Sequence, residues 1–477
     1  MRPHAPTLLS TALLLAGLAA APAARGAVRT NTWIRPIGGD PKASVAGNWS
    51  LGHVPKEGEV ALFSARHPTA AIWDAAAPRR IGGLATEAGY VAVLTFETSP
   101  SGPLPTLEVD GDVDLAGGAV THPQNGDAPA WRLSIEAGGS IRIGPEALVS
   151  VSGKGFAPGK GPSPGLQPGW GASHGGQGAP RAGADIGRPP ATCGSLFEPS
   201  APGSGGTVAE GAPATFGHGG GVVRLVAGGD LTVLGKIRAD ADRRDAGGVL
   251  LGGAAGGSID LRAGGAVVVG ETGAVSADGG AAYGQGGGGG GGGRIAIRYG
   301  ADSPSVSNIP HNNNARFRVH ASGGTGDTRN RDNGRVDTHI RAASGTIYLE
   351  RTGEGRIPRG GTIAVYGSNR PSLAFTRLPA DVDGDSADAL RDAALAVLDG
   401  GTAVLVMNVG TRSLLFGGSG ALDLNGNRLE TSRVAKASGG AALEETGTHR
   451  TNDHDALAPV VFSGGTLAIR PYFEPSL

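Results

Sequence analysis

The chain has very little sulfur: among 477 residues there is one cysteine, Cys193, so no internal disulfide can form. It stands in a loop-like stretch and reads as an unused thiol. Aromatic residues are 4% and charged residues 17%, and the net charge is −1. No field of one sign therefore favours nucleic acid or an anionic membrane. Beyond residue 21 no apolar run is long enough to span a bilayer. Helical patterning is nearly absent; the one candidate is the short Ala/Leu-rich run Ala387 to Leu398. Glycine, by contrast, occurs 87 times, without the Gly-X-Y period of collagen.

The glycines punctuate a repeat. Gly221, Gly257 and Gly293 open copies 36 residues apart. Within the copy at Gly257, Ile259, Leu261 and Ala263 alternate with Ser258, Asp260 and Arg262; Val267 to Val269 follow, then Val275-Ser276-Ala277-Asp278. A period of two reads as a half-buried strand. An earlier copy starts near Trp131, a later one runs from Ile295 through Phe317, Val319 and Ala321, and another opens at Ser344-Gly345. Repeats of this length indicate stacked units sharing one core. The expected fold is all-β: a right-handed parallel β-helix or solenoid with glycine-rich loops, flanked by N- and C-terminal β modules. A β-sandwich of hairpins satisfies the same alternation.

In order, residues 1–27 read as a secretory signal peptide, with Arg2 ahead of the apolar run Leu8 to Ala21 and small-residue cleavage sites before residue 27. The expected location is secreted, extracellular or at the cell surface, with no transmembrane segment in the mature chain. Residues 28–120 form an N-terminal β module, 121–355 the repeats, and 356–477 a C-terminal β module. Within the repeats, 153–219 is a Gly/Pro/Ala-rich excursion expected to be loosely packed or disordered, and Gly286 to Gly293 a flexible corner. Residues 434–458 read as a polar loop. Trp33, Trp49 and Trp73 suit core packing, with sugar stacking as the alternative.

The wording of the repeat, Gly256-Gly257-Ser258-Ile259-Asp260-Leu261, Ser276-Ala277-Asp278-Gly279-Gly280 and Gly345-Thr346-Ile347-Tyr348-Leu349, resembles large secreted bacterial surface proteins with glycine-rich β-helical repeats. Asn48-Trp49-Ser50-Leu51-Gly52 and Leu422-Asp423-Leu424-Asn425-Gly426 resemble flanking modules of autotransporter-like passengers. The resemblance implies a structural or adhesive role, with polysaccharide or surface proteins as partners, and carries no catalytic residues.

Three clusters bear chemistry. Asp381, Asp383, Asp385 and Asp392 stand at positions one, three, five and twelve of a segment that resembles the calcium loop of EF-hands and dockerins, so calcium is a candidate cofactor and a calcium-stabilised carbohydrate-binding protein one reading of the chain, with a solvated acidic turn ahead of an N-capped helix as the alternative. Position six is Ser386, not glycine, position nine is Ala389, and no second loop follows. Asp240, Asp242 and Asp245, with Arg243 and Arg244, follow a third strand, and Asp278 occupies the matching place one copy later. Stacked, these acids would line a groove, as in β-helix polysaccharide lyases or glycoside hydrolases; Asp240, Asp242 and Asp278 are the candidate catalytic residues. Solvated corner residues are the plainer alternative. His449, Asp453, His454 and Asp455 have metal-ligating side chains on a polar loop, where a mobile segment is the simpler reading.

Overall fold

A computed structural model of the chain describes residues 29–181, 190–207, 217–242, 252–282, 287–326, 341–367, 374–437, 460–461 and 466–469. The segment read as a signal peptide, Arg243 to Asp245 and the His449 to Asp455 group lie outside these residues. Among those described, no helix is long and apolar enough to cross a membrane.

The repeat is a register. Strand Val222–Ala227 pairs residue for residue with Ser258–Ala263, which pairs with Arg294–Tyr299, each at an offset of 36. Thr346–Arg351 adds to that edge and Leu133–Ala137 to the other. All these pairings are parallel. Tight hairpins cannot join parallel neighbours, so the hairpin sandwich is excluded. Ile141–Ser150, Leu231–Val233 and Val267–Val269 belong to a second, 12-stranded sheet facing the first, 11-stranded one. Ile259, Leu261, Val267, Val269 and Val275 point between the two and are buried in one apolar cluster. Trp33, Trp49 and Trp73 are fully buried in the same cluster, with ring centroids 5.2 Å apart for the first two, and are core residues.

One antiparallel step changes the architecture. Thr346–Arg351 pairs antiparallel with Thr362–Tyr366, after which parallel pairing resumes through Ala394–Leu398, Ser413–Gly417 and Val434–Ala437. Beyond this step the core moves to the other face of the same sheet. Leu395, Val397, Leu414 and Phe416 join a second cluster, whereas Ala396, Leu398 and Leu415 still touch the first. The run Ala387 to Leu398 is therefore not a helix. It makes one 3-10 turn at Ala387–Leu390 and then the strand Ala394–Leu398, buried on both faces. A strand apolar on both sides has no period of two and reads like a buried helix. Val434–Ala437, expected in a loop, is a strand of this sheet. Phe317, expected in a strand, lies on helix Asn313–Arg318 and is exposed. In the same copy Ser303 and Ser305 replace a strand: their hydroxyls accept from Val267 N and Val269 N, at 2.9 and 3.0 Å.

The glycine-rich excursion is the largest correction. Residues 171–180, 202–206, 252–257 and 287–293 are buried throughout. They form no ordinary ladder. Gly288 N and Gly291 N donate to Gly169 O and Ala172 O; Gly290 N and Gly293 N donate to Gly280 O and Ala277 O; Gly292 N donates to Ala343 O. Carbonyls of the same segment accept from Ala179 and Gly176, from Gly253 and Gly256, and from Gly324. Partners recur every third residue, as for a chain with three residues per turn, the polyproline II geometry. Such a chain presents peptide groups in three directions, and here it is enclosed by neighbouring backbones. A Cβ at Gly290 would collide with Ala254 O, one at Gly291 with Gly176 O and one at Gly292 with Ala321 O. The glycines are required by close approach and do not mark flexibility.

Gly291→Ala should therefore lower stability by about 3 kcal/mol or more, the upper range for overpacking, read as a loss of soluble protein or a fall in Tm. Gly126→Ala, where a Cβ meets nothing within 4 Å, is the control. Equal Tm for the two variants would contradict the packed bundle.

Candidate functional site

The candidate catalytic acids sit where strands end. Ser150, Arg238, Ser276 and His320 are register partners in consecutive copies. Two residues later come Ser152, Asp240, Asp278 and Ser322. Asp240 N donates to Ser152 Oγ at 3.2 Å, Asp278 N to Asp240 Oδ1 at 2.9 Å, and Ser322 N to Asp278 Oδ1 at 2.8 Å. His320 Nδ1 also lies 2.8 Å from Asp278 Oδ1. The structure thus brings Asp240 and Asp278 together in adjacent copies, as the spacing implies. Each uses an oxygen to accept the backbone N–H of the next copy, so the row continues the ladder by side chains where strand pairing stops. Asp240 is buried, and Asp242 is tied through its N–H to His218 O.

The acidic loop is likewise committed. Asp381 Oδ2 accepts from Thr192 N at 2.9 Å, and its Oδ1 accepts from Arg377 Nε at 2.7 Å. Asp385 accepts from Ser195 Oγ at 2.8 Å and Leu196 N at 2.6 Å. Asp383 turns the chain at φ +48°, a conformation its short polar side chain tolerates. Asp392 follows the 3-10 turn. Among the described residues no three His, Cys, Asp or Glu side chains are placed to hold a metal ion. As placed, the loop clamps segment 192–196 onto the C-terminal module, with a backbone bridge between Cys193 and Val382.

Beneath that segment is a polar cluster that sequence reasoning missed. Cys193, His174 and Arg294 are all buried. Arg294 Nε donates to Cys193 O at 2.9 Å and Nη1 to Thr346 Oγ1 at 2.9 Å. Burial pushes the Cys193 thiol up to about 11, so it stays protonated and unreactive. Burial, reinforced by Arg294, pushes His174 down to about 4, and burial does the same to His122. His122 Nδ1 donates to Pro123 O at 2.7 Å and Nε2 accepts from Val222 N at 3.2 Å, a neutral imidazole closing the end of a strand. Local sequence held no signal for this cluster, because its members come from segments far apart in the chain.

On the C-terminal module an open groove of about 280 Å³ is lined by Asp388, Arg391, Asn408, Val409, Gly410, Arg428 and Glu430. Arg428 Nη2 pairs with Glu430 Oε1 at 2.8 Å; Arg391 is exposed. Comparison with family models, with curated proteins and with solved structures finds no match.

Two outcomes follow. His122 and His174 are neutral in the fold at pH values where the unfolded chain, with a histidine near 6.5, takes up protons. Stability is thus fully present above about pH 6.5 and falls as pH drops toward 4, by about 1.4 kcal/mol per pK unit for each histidine. Urea unfolding at pH 7.5 and 4.5 measures this, and the double variant His122→Gln, His174→Gln should have a shallower slope; an unchanged slope would show the acid sensitivity lies elsewhere. For the loop, Asp385→Ala should lower Tm with or without chelator, because the hydrogen bonds from Ser195 and Leu196 are lost. A chelator-induced fall in wild-type Tm would show that the carboxylates had regrouped around a cation.

Proposed function

We propose that this chain is a secreted or cell-surface scaffold of structural and adhesive character, built as a right-handed parallel β-helix. The observation that carries the reading is the Ser152–Asp240–Asp278–Ser322 row: the acids an enzyme would need accept backbone amides of the next copy. General acid–base work needs carboxylates aimed at a substrate and free to exchange protons. The in-register copies supply what a rod needs, each covering the apolar edge of the last.

The right hand is part of this proposal. Across the antiparallel step strand direction reverses and the core changes face. The two changes cancel, so both coils have the same hand, and right-handed crossovers are the sterically favoured ones. The C-terminal groove is the adhesive contact this reading favours. The Arg391 guanidinium suits a carboxylate of an acidic polysaccharide, Arg428 being paired with Glu430, and Asp388 and Asn408 can meet sugar hydroxyls.

Purified protein incubated with a broad polysaccharide panel should release no reducing ends or unsaturated products. Immobilised protein should retain polygalacturonate in low salt, and Arg391→Glu should reduce that retention about tenfold, the scale of one lost charge-assisted contact. Turnover that disappears in Asp240→Asn while folding is preserved would replace the scaffold reading with the lyase or hydrolase one.

A further inference from the structure

Gly410 is a glycine that the fold does not need. It is the middle residue of strand Val409–Thr411, where Val409 and Thr411 are buried and Gly410 takes the outer face. Its register partner is Glu430, and the pairing runs through without a bulge. Its φ lies outside the left-handed region, and an added Cβ would meet only Arg391 Cγ at 3.9 Å and Glu430 O at 4.0 Å, both ordinary contacts. Gly117, Gly118 and Gly144 also lie inside strands, but a Cβ there would come within 2.7, 2.5 and 3.0 Å of other atoms. Glycine inside a strand weakens it, and it marks a bulge, a tight bend, a close backbone or a close ligand. At Gly410 the regular pairing removes the first two causes and the distances remove the third.

The space left open belongs to the groove on the C-terminal module, with Arg391 and Glu430 bordering it. Arg391 caps the 3-10 turn Ala387–Leu390, which packs beside the strand, and Glu430 lies in the next layer. Arg428 is engaged by Glu430, and Asn408 Oδ1 accepts from Arg428 N at 2.7 Å. What remains for a guest is the Arg391 guanidinium, which no described carboxylate pairs, with the Asn408 amide N–H and the Asp388 carboxylate at the rim. A groove of about 280 Å³ is just below the usual range of small-molecule pockets, roughly 300 Å³ and above, so it suits one sugar ring and not several. Resting on the reading of this groove as the polysaccharide contact, we propose that Gly410 is the seat of a single hexuronate residue. The ring lies against the bare strand and its free carboxylate meets Arg391. Gly410 thereby sets the size of the guest, and Arg391 distinguishes the acid from its ester.

Polygalacturonate and its methyl ester, passed in low salt over the immobilised full-length protein, test this, with Tm measured for each variant. Gly410→Val places a β-branched side chain at an outer strand position, where such residues are favoured. Its Tm should equal or exceed that of the wild type, while its retention of polygalacturonate falls about tenfold or more. The wild type should hold the methyl ester no better than Arg391→Glu holds the acid. If Arg391→Glu loses retention but Gly410→Val, melting with the wild type, keeps it, the seat is overturned and the groove's role stands. A fall in Tm for Gly410→Val shows that the fold does need the glycine, which also overturns the seat. Equal retention of ester and acid overturns the recognition of a free carboxylate. A wild type that retains neither polymer removes the groove reading and the seat together.

Discussion

A peptide group removed from water must have its N–H and C=O answered by something, and this requirement governs the whole molecule. Where copies stack as strands, the neighbouring strand answers. Where strands stop, side chains take over: Asp240 and Asp278 on one edge, His122 on another, Ser303 and Ser305 over the last strand of a short stretch. Where there are no side chains at all, in residues 287–293 and around them, backbone answers backbone in three directions. The polar residues that look most like chemistry are the ones that close the gaps in this accounting.

The same sheet serves two interiors. Ile295 and Ile297 face one cluster while Ala296, between them, faces the other, with Leu196 and Phe197 packed against it. The returning excursion thus contributes to the core of the C-terminal module. Charges along that face are paired within and between copies: Asp260 with Arg262 of its own strand and with Arg298 of the next copy, and Arg298 with Glu350 of the one after, at 2.8 to 3.1 Å. Segment 192–206 is held by these neighbours and by the acidic loop, which binds the N-terminal and C-terminal halves of the structure together.

Much of the strand pattern was legible because alternation and a constant spacing are local facts. The 36-residue offset is the true register of Val222, Ser258 and Arg294, and the equivalence of Asp240 and Asp278 is real. Three things were not legible. A strand buried on both faces, Ala394–Leu398, loses the alternation that would identify it. The C-terminal layers repeat at 19 or 20 residues, as Ala394 to Ser413 and Leu414 to Val434 show, but their sequences share little wording. Glycine-rich segments carry no apolar signal, so a bundle whose cohesion is entirely backbone reads as a loop. The role of the acids was hidden for a related reason: residue type reveals what a carboxylate can do, and only its neighbours show that the oxygen is already occupied.

The glycine bundle also bears on how the fold responds to temperature. The heat capacity gained on unfolding grows with apolar surface exposed and shrinks with polar surface exposed. Melting residues 171–180, 252–257 and 287–293 would wet mostly peptide groups and hardly any hydrocarbon, although these residues are as buried as a conventional interior. The heat-capacity increment per residue is then smaller than for an ordinary domain of the same length, and the free-energy curve is correspondingly broad and shallow. A chain built this way surrenders little of its cohesion on cooling.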